Sequence, residues 1–197
     1  GLFYGVQTLL QLIPVNGEKK VPSLLINDEP RFAWRGLMLD VSRHFFTIDE
    51  VKRLIDEMVV YKFNILHLHL TDDQGWRIEI KKLPELTRKG AWRVPRMGLW
   101  WDRECPKEGE EATYGGFYTQ EEIKDLIRYA MQRHVNILPE IDVPGHSLAA
   151  IASYSYLSSS GLPYKVNPGC KFYGHDDNSL CAGKESTFEF LNTVFTE

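Results

Sequence analysis

The sequence predicts an α/β fold of the (β/α) barrel type, in which about three barrel strands can be recognised. A helix-then-strand unit occurs twice, and the second copy follows the first by 72 residues throughout. The strands are apolar at nearly every position, as parallel strands covered on both faces are, whereas half-exposed strands alternate between apolar and polar residues. A chain of 197 residues with 43% hydrophobic content can bury a substantial core.

The first elements precede the repeated unit. Residues 1–12 carry an apolar stripe that predicts an amphipathic helix, ended by Pro14 and Gly17. The members of this stripe are Leu2, Val6, Leu9 and Leu10. Residues 21–26 predict a short strand, and residues 35–41 predict a longer, largely apolar strand.

The repeated unit consists of a capping box, an apolar helix stripe and a strand. Residues 47–50 and 119–122 are the capping boxes, in which a Thr hydroxyl and a Glu carboxylate satisfy free amides at a helix start. The stripes are formed by Val51, Leu54, Ile55 and Met58 and by Ile123, Leu126, Ile127 and Ala130. Residues 64–66 and 136–138 then begin the two strands. The matched order indicates successive units of one architecture.

Polar side chains follow all three predicted strands. They are Asp40 and Arg43 after the first, Asp72 and Asp73 after the second, and Glu140, Asp142 and His146 after the third. The carboxyl ends of the strands meet at one mouth of a parallel barrel, so this clustering predicts an active site. An insertion rich in Trp, Gly and Pro, residues 73–118, follows the second strand, where barrels build their sites.

The charge balance argues against nucleic acid and membrane partners. The 23 basic and 27 acidic residues give a net charge of −4, and no basic block is present that would neutralise a row of phosphates. No apolar run reaches the length needed to cross a bilayer. Residues 1–14 lack the features of a signal peptide, so the sequence itself predicts no location.

A metal site is the alternative interpretation of the second strand. His67 and His69 alternate onto one strand face, a spacing that can chelate a divalent ion, as in a metal-dependent amidohydrolase barrel. A strand of mixed Leu and His can equally bury both imidazoles against hydrogen-bond partners. We therefore expect no metal and no cofactor, and we treat both histidines as mainly structural.

The three cysteines leave two pairings open. Cys170 and Cys181 lie in one loop rich in Gly, Asn, Pro and Ser and can pair in an oxidising compartment, with Cys105 left over. Three reduced thiols are an equally good interpretation.

Three segments in order carry a resemblance to a known family. They are RGLMLDVSRHF (35–45), NILHLHLTDDQGWR (64–77) and ILPEIDVPGH (137–146), and together they resemble the β-N-acetylhexosaminidases of glycoside hydrolase family 20. The opening GLFYGVQTLLQLIP resembles the last helix of a small α/β domain that precedes the barrel in that family. The resemblance implies that residues 1–30 end such a domain. It also implies that residues 31–197 form the first part of a (β/α)8 TIM barrel.

The resemblance also assigns roles to site residues. Arg43 matches an arginine that binds hydroxyls of the terminal sugar in that family. Its planar guanidinium can donate hydrogen bonds to two oxygens at once. Asp72 and His146 match a relay in which the aspartate orients the imidazole and the imidazole contacts the catalytic acid. The possible supporting residues are Asp40, Asp73, Glu140 and Asp142.

The family's reaction is exo-acting hydrolysis of terminal N-acetylglucosamine or N-acetylgalactosamine from glycans, and the mechanism is substrate-assisted and retaining. The acetamido oxygen of the sugar attacks the anomeric carbon, while an adjacent Asp-Glu pair orients this group and protonates the leaving oxygen. The family writes that pair as G-G-D-E, and the present sequence contains no such motif. The sequence leaves the preference between the two sugars open.

The chain therefore resembles a fragment, because a full barrel takes about 250 residues. We expect it to be inactive by itself and to self-associate through exposed apolar strand edges. A periplasmic or secreted location of the parent protein is expected only by analogy with other glycan-degrading hydrolases.

A non-catalytic sugar-binding module is a further alternative. It would use Arg43 together with tryptophans, because the CH faces of sugars stack on indole rings. The candidates are Trp76, Trp92, Trp100 and Trp101, for which core or loop packing is at least as good an interpretation.

Overall fold

The computed structural model describes residues 1–99, 102–170 and 179–197, which form a mixed α/β structure. The helices are α1 (Leu2–Leu12), α2 (Ile48–Val60), α3 (Glu85–Arg88), α4 (Gln120–Met131), α5 (Leu148–Ser153) and α6 (Glu185–Thr196). The strands are β1 (Gly36–Asp40), β2 (Ile65–His69), β3 (Thr71–Asp72), β4 (Gly75–Trp76), β5 (Trp92–Arg93), β6 (Tyr114–Gly115) and β7 (Asn136–Glu140). Across these ranges, no helix is long and apolar enough to cross a membrane.

The central sheet contains β1, β2 and β7 in that order, and all three strands are parallel. This arrangement confirms the three predicted parallel strands. The register places Asp40 beside His69 and His69 beside Glu140, so the last residues of the three strands form one row. The loops that carry the other polar residues of the predicted site leave the sheet at this row.

Helices α2 and α4 cover one side of the sheet, and both predicted capping boxes are present. Thr47 accepts a hydrogen bond from the amide of Glu50, and Thr119 does the same for Glu122. Buried side chains of the two stripes pack against the sheet in one apolar core, namely Val51, Ile55, Met58, Leu126 and Ala130. Ile127, the exception among the predicted stripe residues, is exposed.

The two outer strands differ from the sequence prediction. β2 is largely buried, whereas Leu37 and Met38 of β1 and Leu138 of β7 are exposed. The expectation that every strand is covered on both faces is therefore wrong for β1 and β7. The shared apolar core buries Leu66 and Leu68 of the middle strand, whereas β1 and β7 contribute only the partly buried Leu39 and Ile137 to it.

Helix α1 forms as predicted, but its apolar stripe stays exposed. Its contacts with the rest of the structure include those of Phe3, whose ring centroid lies 4.5 Å from that of His134, and of Tyr4, whose hydroxyl donates to the His134 carbonyl. Polar contacts are added by Thr8, which accepts from the Lys62 ammonium, and Gln11, which donates to the Val60 carbonyl. The strand predicted at residues 21–26 is wrong, because no strand lies beside this segment in the described part of the chain. Just after this segment, Asp28 forms an ion pair with Lys62.

The described part of the insertion folds against the helices that follow the sheet. It contains β4, which pairs with β3 just before the insertion, together with the β5–β6 pair and α3, and it forms a second apolar core with α5 and α6. The buried members of this core from the insertion are Trp76, Ile80 and Leu86. The insertion thus forms a wall beside the strand ends.

A disulfide bond corrects both cysteine predictions. Cys105 pairs with Cys170, with a Cα–Cα distance of 5.2 Å, and not Cys170 with Cys181. The bond ties the insertion to the loop after α5 across a sequence separation of 65 residues. Sequence proximity favoured the wrong partner, because the pairing depends on which loops the fold brings together.

Candidate active site

The three residues predicted to carry the function lie together at the carboxyl ends of the central strands. Arg43 follows β1, Asp72 follows β2, and His146 lies in the turn after β7. They are joined by direct contacts through a single carboxylate, that of Asp72.

Asp72 is buried and receives donors on both carboxylate oxygens. Oδ2 lies 2.6 Å from Nη2 of Arg43 and 2.7 Å from Nε2 of His69. Oδ1 lies 3.1 Å from Nδ1 of His146 and accepts the amide of Asp73. Burial by itself raises the pKa of Asp72, but the hydrogen bond from His69 and the charge of Arg43 outweigh burial and lower this pKa. Asp72 is therefore an anion at neutral pH.

Arg43 is held from two sides while its side chain stays 45% exposed. Nη1 donates to Oδ2 of Asp40 over 2.7 Å, and Nη2 contacts Asp72. The other oxygen of Asp40 accepts the backbone amides of Ser42 and Arg43. Asp40 therefore fixes both the backbone and the guanidinium of Arg43, and the exposed edge of the guanidinium faces a cleft.

His146 is projected towards Asp72 by an unusual backbone conformation. Its φ of 52° lies in the left-handed region, which few residues other than glycine adopt. Because a carboxylate can only accept, the contact with Asp72 places a proton on Nδ1 of His146. Nε2 is then the ring atom that can meet a further group, and the side chain is 42% exposed.

The predicted supporting acids occupy distinct positions around this trio. Asp73 accepts the amide of Leu148 at the start of α5, and its carboxylate lies 3.7 Å from Nδ1 of His146. The amide of Asp142 donates to the hydroxyl of Thr71. These contacts fix the loop from β7 to α5, which carries His146.

Glu140 lies between the two histidines of β2. Its carboxylate contacts Nε2 of His67 and lies 3.0 Å from Nδ1 of His69. Burial by itself lowers the pKa of His69, but hydrogen bonds to Asp72 and Glu140, with the charge of Asp40, raise it to about 9. The row at the strand ends is thus a network of alternating charges.

The geometry does not favour the predicted alternative of a metal held by His67 and His69. Both imidazoles contact the same carboxylate, and the second nitrogen of His69 contacts Asp72. Among the residues that the structure describes, two groups of potential metal ligands have their ligand atoms within 4.8 Å of one another: His69, Asp72 and Asp142, and Asp72, Asp73 and His146. Both groups depend on Asp72, so a cation there would displace donors that this carboxylate already has.

A cleft of about 670 Å³ lies directly outside the trio. This volume lies in the range of pockets that hold small ligands. Its floor includes Arg43 and His146, and its walls come from the insertion and the disulfide-linked loop, including Tyr114, Gly169 and Cys170. The arrangement can hold a polar ring whose hydroxyls face the guanidinium.

The predicted tryptophan candidates do not line this cleft within the described residues. Trp76 is buried in the second core, and the indole of Trp92 donates to the carbonyl of Thr87. Trp100 and Trp101 lie outside the described residues. Tyr114 is an aromatic residue of the wall; its ring centroid lies 4.4 Å from the guanidinium carbon of Arg93, and the sequence analysis did not single it out.

Two buried arginines were also missed by sequence reasoning. Arg77 donates to the backbone carbonyls of five residues, namely Val41, Ser42, Gln74, Ala91 and Gly116. Arg93 donates to the carbonyls of Gln74 and Arg43. No sequence signal could identify these roles, because backbone carbonyls carry no residue-type signature.

Family comparison agrees with this geometry. The family model described as "Glycosyl hydrolase family 20, catalytic domain" matches residues 32–197. A second model, "Glycosyl hydrolase family 20, domain 2", matches residues 1–29. The chain belongs to glycosyl hydrolase family 20. This assignment confirms the resemblance carried by the three sequence segments.

Individual members of family 20 are similar over the whole chain. A beta-hexosaminidase of Porphyromonas gingivalis is 43% identical over 100% of this chain and 24% of its own length. A beta-N-acetylhexosaminidase of Cellulomonas fimi is 40% identical over 100% of this chain and 36% of its own length. The chain thus spans about a quarter to a third of these relatives.

Solved family 20 structures have the same fold over this region. A mutant Streptomyces plicatus beta-hexosaminidase in complex with its product GlcNAc is 44% identical, with a TM-score of 0.83 over 98% of this chain and 37% of that chain. A Vibrio harveyi exo beta-N-acetylglucosaminidase in complex with N-acetylglucosamine is 41% identical, with a TM-score of 0.78 over 100% of this chain and 30% of that chain.

Proposed function

We propose that this chain is part of an exo-acting β-N-acetylhexosaminidase and contains the amino-terminal portion of its catalytic barrel. In this proposal residues 1–30 end a preceding α/β domain, and residues 31–197 supply the first three strands of a (β/α)8 barrel. The parallel order of β1, β2 and β7, with α2 and α4 between them, supports the barrel interpretation. The substrate is a glycan with a terminal N-acetylhexosamine, in line with the names of the relatives.

One observation carries the proposal. Arg43, Asp72 and His146 come from three neighbouring strand ends and contact one another, with Arg43 and His146 lining one cleft and Asp72 buried behind them. Arg43 is braced by two carboxylates, so the guanidinium is fixed before a ligand arrives. A preorganised donor fork of this kind suits the hydroxyls of a terminal sugar ring.

In this proposal, Asp72 and His146 assist the transfer of a proton to the leaving oxygen. Asp72 holds Nδ1 of His146 protonated, so Nε2 faces outward with a defined tautomer. Nε2 then contacts the acid that protonates the leaving oxygen, and the imidazole influences the acidity of that group. The acetamido group of the substrate supplies the nucleophile, so these residues need only orient the sugar and assist the acid.

The decisive experiment measures turnover of an aryl N-acetyl-β-glucosaminide by the full-length protein and by its Arg43→Ala variant. We expect turnover by the wild type and a raised KM in the variant, because the hydroxyl contacts are lost. Arg53→Ala, which removes an exposed arginine on α2, is the matched control and should keep the wild-type KM. Absence of turnover, or an unchanged KM in Arg43→Ala, would contradict the proposal.

The 197-residue chain alone is expected to show no turnover in the same assay. Its sequence contains no G-G-D-E motif, so it lacks the acid pair that the family's mechanism requires. Turnover by the pure chain would contradict this part of the proposal.

A further inference from the structure

His69 occupies a central position that the predicted roles leave unused. It is the last residue of β2, the middle strand, and only 5% of its surface is exposed. Nε2 lies 2.7 Å from Oδ2 of Asp72, and Nδ1 lies 3.0 Å from Oε1 of Glu140. The imidazole therefore joins the carboxylate of the proposed relay to a carboxylate on the neighbouring strand.

The chemistry of the two contacts determines the charge of the ring. An ionised carboxylate accepts hydrogen bonds and donates none, so both ring nitrogens of His69 must carry protons to satisfy both contacts. A doubly protonated imidazole is a cation, and a buried cation requires paired anions. Asp72 and Glu140 provide them directly.

The charged surroundings of His69 agree with a cationic ring. Asp40 of β1 lies beside it in the sheet register, and the carboxylate of Asp142 lies within 4.8 Å. On the far side of Asp72 lie the guanidinium of Arg43 and the imidazole of His146. The carboxylates nearest the ring thus favour its protonated form, and the raised pKa of His69 has the same cause.

We propose that His69 is a positioning residue of the active site, whose imidazolium fixes the carboxylate of Asp72 so that Oδ1 faces His146. The proposal rests on the proposed function, in which Asp72 orients His146. Arg43 also contacts Oδ2, but Arg43 is half exposed and divides its guanidinium between Asp40 and Asp72. His69 is the buried donor on this oxygen, so it sets the rotation of the carboxylate.

His67 provides an internal comparison. It lies two residues earlier on the same strand and contacts the same carboxylate, that of Glu140. Its side chain is 33% exposed, and in the described part of the chain its polar ring contact is with Glu140 alone. If the contacts with Glu140 are purely structural, replacing either histidine should have a similar effect. The positioning role instead predicts an effect on catalysis for His69 alone.

The first test reads the charge of the ring without any activity measurement. In protein labelled with ¹⁵N-histidine, the proposal expects two ring N–H groups on His69 at pH 7, with loss of one as the pH passes about 9. A single N–H group on His69 at pH 7 would overturn the proposal. This result does not depend on whether the protein hydrolyses a glycoside.

The second test compares His69→Gln with His67→Gln in the full-length protein. Glutamine can still donate one hydrogen bond but carries no charge. We expect His69→Gln to lower kcat by about tenfold to a hundredfold, a usual effect of removing an outer hydrogen-bond partner, with a nearly unchanged KM. His67→Gln should retain the wild-type kcat.

The outcomes of the second test separate the two proposals. Equal losses in both variants, or a wild-type kcat in His69→Gln, would overturn the positioning role. Absence of turnover by the wild type would instead contradict the proposed function. If His69→Gln does not fold, the wild-type NMR spectrum still decides whether the ring is a cation.

Discussion

The guanidinium of Arg93 donates from Nη2 to the backbone carbonyl of Arg43 over 2.6 Å. A buried arginine from the insertion therefore holds the backbone of the arginine that we propose to bind the sugar. Arg93 also stacks on Tyr114 in the wall of the cleft. The wall and the floor of the cleft are thus one connected structure.

Replacement of Arg93 by Leu should loosen that connection. The substitution leaves buried carbonyls without donors, each at a cost of about 1–3 kcal/mol. We expect a lower free energy of unfolding and a raised KM, measured by urea denaturation and steady-state kinetics. Arg88→Leu removes an exposed arginine of α3 and is the control, which should change neither quantity appreciably. Equal effects of the two substitutions would refute the bracing role of Arg93.

Asp72→Asn should reduce both catalysis and stability. The substitution leaves the cations of Arg43 and His69 without their shared buried anion, and breaking such a buried pair costs about 3–5 kcal/mol. It also removes the acceptor that fixes the tautomer of His146, so kcat should fall by at least about a hundredfold.

Asp125→Asn is the matched control for Asp72→Asn, because it breaks an ion pair with Lys52 in which the aspartate is half exposed. Exposed pairs contribute at most about 1 kcal/mol, so this variant should stay close to the wild type. Urea denaturation and kinetics on both variants provide the comparison. A fully active Asp72→Asn would show that the carboxylate has no part in the reaction.

The stability of the protein should fall as the pH rises from about 6.5 to about 9. The folded-state pKa of His69 is raised from 6.5 to about 9, so the native state binds this proton more tightly than the unfolded state. The contribution of His69 is therefore complete below pH 6.5 and is lost as the pH passes about 9. Free energies of unfolding measured across this range should decline less steeply in His69→Gln. If the free energy of unfolding depends on pH in the same way in the wild type and in His69→Gln, the raised pKa of His69 is contradicted.

Loss of the Cys105–Cys170 disulfide should destabilise the protein and open the cleft. The bond joins two loops, and Cys170 lines the cleft wall. Removing a native disulfide typically costs about 2–5 kcal/mol, so Cys105→Ser should lower Tm and raise KM. Cys181→Ser is the control, because Cys181 is not in this bond. Peptide mapping under non-reducing conditions that finds Cys170 joined to Cys181 would refute the pairing.

The 197-residue chain by itself should self-associate. The outer strands β1 and β7 expose apolar side chains, including Met38 and Leu138, together with the unpaired edges of the sheet. Such edges pair readily with other chains. Multi-angle light scattering should detect species larger than 22.8 kDa that increase with concentration. A stable monomer at all concentrations would contradict this expectation.

Much of the secondary structure followed from the sequence alone. The capping boxes at Thr47 and Thr119, the helices α2 and α4 and the three parallel strands were all predicted, because each depends on local hydrogen bonds and on apolar periodicity. Arg43, Asp72 and His146 were predicted as site residues through the resemblance of three motifs at strand ends, and the structure brings these three side chains into contact. The strand predicted at residues 21–26 was wrong, because a strand requires a neighbour that local sequence does not specify.

The tertiary structure alone decided how these parts contact one another. It placed His69 between two carboxylates, paired Cys105 with Cys170, and brought Arg93 under the backbone of Arg43. In each case the partners come from separate segments, and several of them are backbone carbonyls. Such contacts depend on how packed elements meet in space, so the side-chain pattern along the chain carries no direct record of them.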